Sequence, residues 1–156
     1  MRKIICLVLL LGFSITAAAA PPLKLRKFYL TPATVQGSVQ GNQALTACAD
    51  GFHMASLFEI FDVSDLRYDT TLGATADDSG FGPRTGNLGW IRTGGASLNN
   101  DGLAGIDNCL MWTSTNGNGT VAQLAKLWDA PGSIISPWEA SSVLCNSLNQ
   151  VWCVEN

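Results

Sequence analysis

Charged residues are scarce in this sequence of 156 residues, where lysine, arginine, aspartate and glutamate together make up 13%. Soluble domains carry roughly one quarter of such residues. Histidine is scarcer still, with a single residue, His53. It lies in the apolar stretch FHMASL and is expected to be structural. The sequence also lacks a Gly-x-Ser-x-Gly nucleophile motif and a glycine-rich phosphate loop. Catalysis therefore has little support from residue types.

Apolar runs long enough to span a membrane are absent too. A membrane-spanning helix needs about 20 consecutive apolar residues. The apolar run Ile4–Gly12 has nine residues and follows Arg2 and Lys3. A basic segment, a short apolar segment and a run of small residues are typical of a secretory signal peptide. We expect residues 1–19 to be this signal, with cleavage after Ala19. The remaining 137 residues, 20–156, would form one secreted or periplasmic domain.

The cleaved chain would carry seven basic and twelve acidic residues, a net charge of −5. A domain of this sign offers no basic surface to a phosphate backbone, which argues against nucleic acid as a partner. Cleavage also removes Cys6 and leaves four cysteines. In an oxidising compartment four cysteines are expected to form two disulfides, with three pairings open.

Short elements and long loops are predicted along the chain. Asn42 should cap a short helix that ends by Gly51, and Phe58–Tyr68 predicts a second one. The segments Thr70–Asn87 and Gly94–Asn108 are irregular and glycine-bearing, so they are predicted as loops. Strands are predicted at Lys24–Leu30 (at an edge or terminus), Gly89–Thr93, CLMWTS from Cys109, SIISPW and VWCV, with TVAQLAKLWDA as a helix or strand.

Three segments resemble the C-type lectin-like domain family. Ala44–Phe61 (ALTACADGFHMASLFEIF) has an alanine four residues before its cysteine, then a glycine, a His-apolar-Ala-Ser-apolar stretch and an acid. GWIRTG at 89–94 is similar to the family's central Trp-Ile-Gly strand. DNCLMW is followed by CNSLNQVWCVE, where seven residues separate two cysteines and an acid follows. The chain is also similar to bacterial exported proteins of C-type-lectin-like character.

The resemblance implies an α+β fold with two short helices, a small antiparallel twisted sheet and two nested disulfides. The family's pairing would join Cys48 to Cys153 and Cys109 to Cys145. In the chain-entropy description, loops of this size stabilise a fold by roughly 4 to 5 kcal/mol each. The long loops would then be free to bind a ligand.

Oxygen-bearing side chains cluster in the second loop, where calcium-dependent C-type lectins hold an ion. The cluster comprises Asn99, Asn100, Asp101, Asp107 and Asn108. Calcium prefers such oxygen ligands, so it is a candidate cofactor with Asn99, Asp101 and Asp107 as metal ligands. The family's Glu-Pro-Asn sugar motif is missing, and the alternative is an Asn/Asp/Gly turn cluster without an ion.

Four further positions are candidates for ligand contact or catalysis, namely Arg92, Trp138, Glu139 and Asp77. Arg92 would face a ligand or pair with a buried carboxylate. Most of the five tryptophans are expected in the core, but Trp138 is expected to be partly exposed and, with Glu139, to contact ligand. An enzyme would need acids from separate loops, such as Asp77, Asp101 and Glu139, to converge.

The sequence thus predicts a secreted or periplasmic binding module without catalysis. It would recognise a glycan or a protein surface through the loops Thr70–Asn87 and Gly94–Asn108, a prediction that rests on analogy of fold. The alternative is a cell-envelope structural or adhesion protein that makes protein contacts through exposed aromatic residues.

Overall fold

The computed structural model describes residues 24–38, 43–62, 65–75, 82–93, 104, 106–124 and 138–156. Within these ranges the chain forms eight strands and three short helical segments. The strands are β1 (Arg26–Leu30), β2 (Val35–Gln36), β3 (Phe52–Met54), β4 (Leu66–Tyr68), β5 (Gly89–Trp90), β6 (Asn118–Leu124), β7 (Trp138–Leu144) and β8 (Leu148–Glu155). The helical segments are α1 (Gln43–Thr46), α2 (Leu57–Phe61) and α3 (Cys109–Trp112).

The strands form one mixed sheet in the order β4-β1-β8-β5-β6-β7, and β2 and β3 also pair with β8. The β1/β4 and β5/β8 pairs are parallel, whereas the other pairs are antiparallel. The α+β class with few short helices is confirmed, but the sheet is mixed, whereas the resemblance implied a small antiparallel sheet. Parallel partners need long connections, and long stretches of chain separate β1 from β4 and β5 from β8.

Strand β8 is buried on both faces and separates two hydrophobic clusters. On one face Trp152 and Val154 pack with residues such as Ile60 of α2. On the other face Val151 and Cys153 pack with residues that include Trp90 and both halves of the second disulfide. The sheet therefore has a core on each side, and its central strand contributes to both.

Two disulfides close the fold in a nested arrangement. Cys48 joins Cys153 over a sequence separation of 105, and Cys109 joins Cys145 over 36. The Cα atoms lie 5.7 and 5.6 Å apart, inside the usual range. The pairing implied by the resemblance is confirmed. Disulfides of this kind are consistent with an extracellular or periplasmic protein.

Three local predictions need correction. The strand predicted at Lys24–Leu30, at an edge or terminus, is the first described strand of the chain but is not an edge strand, because β1 lies between β4 and β8. The helix predicted over Phe58–Tyr68 ends at Phe61, since residues 66–68 pair in parallel with β1 instead. This tertiary pairing overrides a weak local helix signal.

The third correction concerns the predicted strand after Cys109. Residues Cys109–Trp112 all have φ between 53° and 62°, in the left-handed region. The turn is held by Asn108, whose Oδ1 accepts a hydrogen bond from the N–H of Met111 at 2.9 Å. The disulfide to Cys145 and the packing of Trp112 against Trp90 anchor it further. Left-handed backbone costs roughly 1–2 kcal/mol per residue, so such anchors are required.

Candidate functional site

Helix α2 exposes aromatic side chains although it is part of the core. Ser56 caps the helix reciprocally: the N–H of Ser56 donates to Glu59 Oε2 at 2.9 Å, and the N–H of Glu59 donates to Ser56 Oγ at 3.3 Å. Ile60 is fully buried, whereas Phe58 is 76% exposed and Phe61 is 42% exposed. A five-residue helix cannot bury four apolar side chains against one face, so the remainder faces solvent.

An apolar groove runs beside α2, and we call it the α2 groove. Its described lining consists of Leu57, Phe58, Phe61, Asp62, Ala104 and Ala140, and its volume is about 460 Å³. The ring of Phe61 lies 6.3 Å from that of Trp138, which packs edge-on against Trp152 at 4.9 Å. The groove therefore rests on a packed tryptophan core, and its size is typical of a ligand site.

Charged contacts fix the position of α2 on the sheet. Glu59 Oε1 lies 3.1 Å from His53 Nε2 of β3 and 3.3 Å from Arg26 Nη1 of β1. Burial raises the pKa of Glu59, but hydrogen bonds from Ser56 and His53 outweigh it and lower this pKa to about 2. The expected structural role of His53 fits this contact, and the imidazole also lies 2.7 Å from Asn156 Oδ1. Glu59 is thus ionised at neutral pH and acts as an anchor.

A second, polar pocket of about 280 Å³ lies where the first predicted binding loop begins. It is lined by Lys27, Arg67, Tyr68, Asp69, Thr70 and Thr71. Lys27 and Arg67 are direct partners in the parallel β1/β4 pair, and Lys27 Nζ lies 2.9 Å from Asp69 Oδ2.

Asp69 is buried in this pocket and is committed to the turn that follows it. Its Oδ1 accepts hydrogen bonds from the hydroxyl and the N–H of Thr71 and from the N–H of Leu72. The hydrogen bond from the Thr71 hydroxyl, followed by the contact with Lys27, holds the pKa of Asp69 well below its usual range, and the two backbone N–H groups add to this effect. The carboxylate therefore organises the loop and has no proton to transfer at neutral pH.

Of the predicted calcium ligands, Asp107 and Asn108 lie in the described part of the chain. Asp107 is fully buried, and its Oδ2 accepts a hydrogen bond from Ser142 Oγ at 2.8 Å. Asn108 is buried and caps the left-handed turn. Asn99, Asn100 and Asp101 lie outside the described residues, as do Asp77 and Asp78. The described residues hold no group of three or more His, Cys, Asp or Glu that could bind a metal ion.

The remaining predicted ligand residues, Arg92, Glu139 and Trp138, each make a different contact within the fold. Arg92 Nε donates to the carbonyl oxygen of Met54 at 2.8 Å, so it ties β3 to the chain after β5. Glu139 is exposed and accepts a hydrogen bond from Gln123 Nε2 at 2.9 Å. The expected partial exposure of Trp138 is wrong, because its side chain is only 6% exposed and packs in the core.

The expected core role is confirmed for Trp90, Trp112 and Trp152, and Trp128 lies outside the described residues. Trp138, which was expected to be partly exposed, is buried as well. The exposed aromatic residue that sequence reasoning missed is Phe58. The signal was present, since four of the five residues in LFEIF are apolar and a helix this short must leave some of them in solvent.

No helix among the described residues has the length and apolar character needed to cross a membrane. Comparison with models of protein families, with curated proteins and with solved structures finds no match to this chain.

Proposed function

We propose that this protein is an exported binding module with a C-type-lectin-like fold, which recognises a protein surface and performs no catalysis. The nested pairing of Cys48 with Cys153 and Cys109 with Cys145 supports the fold, and the basic and apolar start of the sequence supports export. Each predicted binding loop contributes at least one described residue to a pocket. The first begins at Thr70 in the polar pocket, and Ala104 of the second lines the α2 groove.

The α2 groove is the feature that favours a protein ligand over a glycan. Phe58 is 76% exposed beside Phe61, and Asp62 is the single charged residue in the described lining. Exposed aromatic side chains beside a preformed apolar groove are typical of energetic centres in protein interfaces. A sugar ring would find few hydrogen-bond partners there, whereas an apolar side chain would be well covered.

A glycan is the second candidate ligand, favoured by the polar pocket. Arg67, Thr70 and Thr71 place a guanidinium and two hydroxyls at its wall, and such groups hydrogen-bond sugar hydroxyls. The pocket lies at the first loop, so a glycan would contact a different part of the surface from a protein bound in the α2 groove.

Binding to intact cells separates the two ligands. Labelled wild-type protein and the variants Phe58→Ala and Arg67→Ala would be incubated with cells of the source organism, untreated, protease-treated or periodate-oxidised. A protein ligand predicts loss of binding after protease and in Phe58→Ala. A glycan predicts loss after periodate and in Arg67→Ala. Leu148→Ala, which changes a side chain that is 66% exposed elsewhere, is the matched control. Binding that ignores both variants would contradict the proposed surfaces.

Two simpler measurements test the other parts of the proposal. N-terminal sequencing of the exported product should find Ala20 as the first residue.

For the calcium prediction at Asn99, Asp101 and Asp107, millimolar calcium should raise Tm, because an ion that binds only the folded state stabilises it by RT ln(1 + [L]/Kd). An unchanged Tm with calcium and with chelator would rule out that site.

A further inference from the structure

Strand β7 lies at an edge of the sheet. Among the described residues it pairs with β6 alone, through seven successive register positions from Asn118 with Leu144 to Leu124 with Trp138. The opposite edge is the three-residue β4, which carries the exposed Arg67. A long edge strand presents backbone N–H and C=O groups to which another strand can bind.

The hydrogen-bond pattern identifies which groups of β7 point away from the sheet. The N–H of Cys145 donates to the carbonyl oxygen of Gly117, which places residues 145, 143, 141 and 139 in hydrogen-bonded pairs with β6. The N–H of Ile91 donates to Thr120 in the same alternating pattern on the other side of β6. Residues 138, 140 and 142 therefore direct their N–H and C=O groups outward.

The side chains of β7 do little to protect this edge. Its sequence is WEASSVL, with one charged residue, Glu139, and neither lysine nor proline. Natural edge strands commonly use lysine, proline or an inward charge to prevent pairing with another chain. Residues 139–141 are all exposed. An incoming strand would meet small side chains at residues 140–142, in the middle of this edge.

The β7 edge and the α2 groove meet at one residue among those that the structure describes. Ala140 lines the groove, and its own N–H and C=O belong to the outward set. A strand added to β7 would lie beside this wall and could place a side chain against Phe58 and Phe61. Asp62 is the charged group of the described lining, and Glu139 is the charged residue of β7. Glu139 is acidic and exposed, so a basic residue of the incoming strand that lies beside it would complement it.

We propose that the α2 groove and the β7 edge together bind an extended polypeptide segment of a partner protein. The segment pairs with the outward groups of Ala140 and Ser142, seats an apolar side chain in the groove and carries a neighbouring lysine or arginine. Strand addition of this kind obtains affinity from backbone hydrogen bonds and specificity from a side-chain pocket. The inference rests on the proposed function in its protein-binding form and specifies the chemistry of the ligand.

Selection from a library of displayed random peptides tests the proposal on the full exported protein. The selected peptides should share an apolar residue next to a basic one. Phe58→Ala and Ala140→Pro should each weaken binding of a selected peptide by about tenfold or more, as truncation at an interface centre does. Proline at 140 removes an outward N–H and no bond to β6, so the sheet should persist. Leu148→Ala should bind as the wild type does.

A second measurement needs no variant of the protein. In a peptide that adds as a strand, alternate N–H groups face β7 and the others face solvent. Methylating the first set of peptide nitrogens should abolish binding to the wild-type protein, whereas methylating the second set should leave it unchanged. Equal effects of the two sets, or a selected peptide that binds as a helix, would overturn strand addition.

The other occupants give different results. A glycan or peptide whose binding depends on Phe58 and ignores Ala140→Pro would overturn strand addition and leave the proposed binding function intact. Self-association in sedimentation that Ala140→Pro abolishes would assign the edge to a second copy of this chain and overturn the partner segment. A library that yields no Phe58-dependent peptide would also overturn it.

Discussion

Two ends of the sheet can be compared directly. One end, formed by β1, β3, β4 and α2, contains the three lysine or arginine ion pairs found among the described residues and also the His53–Glu59 contact, and we call it the charged end. The other end, formed by β5, β6 and β7, carries Glu139 but contains none of these ion pairs, and for that reason alone it is called the uncharged end. At the charged end Glu59 and Asp69 hold a helix and a turn in place. The comparison shows that one sheet can be stabilised by different forces at its two edges.

Close packing replaces charge at the uncharged end. A Cβ atom added at Gly119 would lie 2.6 Å from Cys109 Sγ and 2.8 Å from Trp90 Cζ3. Trp90 in turn packs edge-on against Trp112 at 5.7 Å. Contacts of this kind tolerate no added volume, whereas ion pairs at the charged end respond to pH. The two ends should therefore fail under different perturbations.

Removal of the disulfides should have the largest effect. The Cys48–Cys153 bridge joins the chain just after α1 to the central strand, and the Cys109–Cys145 bridge holds the left-handed turn at the uncharged end. In the chain-entropy description, replacing both cysteines by alanine should cost about 5 kcal/mol for the outer bridge and about 4 kcal/mol for the inner one. Urea unfolding of the two double variants gives these values. A larger loss from the inner bridge would show that native strain or packing outweighs loop closure.

Added volume should break the uncharged end next. Gly119→Ala should destabilise the protein by about 1–3 kcal/mol, because the new methyl group meets a disulfide sulfur and an indole ring. Gly82→Ala is the matched control, since nothing lies within 4 Å of a Cβ atom there. Thermal unfolding of both variants makes the comparison, and equal Tm values would contradict the packing argument.

Acid should loosen the charged end first. The folded-state pKa of Glu59 is about 2, below its ordinary value of 4.5, and that of Asp69 is lowered as well. A lowered pKa stabilises the folded state above the ordinary value, and this stabilisation is lost as pH falls from about 4.5 towards 2. Backbone amide exchange at low pH should therefore accelerate in α2 and β4 before it does in β6.

A variant control assigns the acid effect to these carboxylates. Glu59→Gln and Asp69→Asn should each lower stability at neutral pH and flatten the fall in stability between about pH 4.5 and 2. If both variants keep the full wild-type pH dependence, other carboxylates cause it.

The smallest effect on stability is expected within α2 itself. Phe58→Ala should change the free energy of unfolding by less than about 0.5 kcal/mol, because its side chain is 76% exposed. Ile60→Ala, two residues away and fully buried, should cost about 2–5 kcal/mol. Parallel urea titrations test this contrast. A large loss in Phe58→Ala would mean that the aromatic residue serves the fold and would weaken its assignment to binding.

The elements that could be predicted are those whose signal is local or covalent. The VWCV strand, the Gly89 strand and the short helix near Phe58 follow from β-prone runs or apolar spacing. The disulfide pairing followed from the resemblance, because spacing alone left three pairings open.

The elements that could not be predicted depend on distant contacts. Leu66–Tyr68 is too short to indicate a strand, and its pairing with β1 is set by packing. The left-handed turn at Cys109 is stable because Cys145 and Trp90 hold it, and neither is a neighbour in sequence. Trp138 was expected to be partly exposed because it lies between Pro137 and Glu139 in an interrupted strand, yet Trp152 and Phe61 pack against it. The α2 groove combines residues from three distant segments, which no single window of sequence contains.

The central position of β8 has a consequence for the timing of folding. It follows every other described strand in the chain, yet β1, β2, β3 and β5 all pair with it. A polypeptide that emerges from a ribosome or a secretion channel begins with its N-terminus, so these four strands emerge before their shared partner. The two hydrophobic clusters and the Cys48–Cys153 disulfide cannot be completed until residues 148–155 have emerged. Folding of this sheet must therefore wait until residues 148–155 have emerged, and the earlier strands stay accessible to chaperones or to translocation in the meantime.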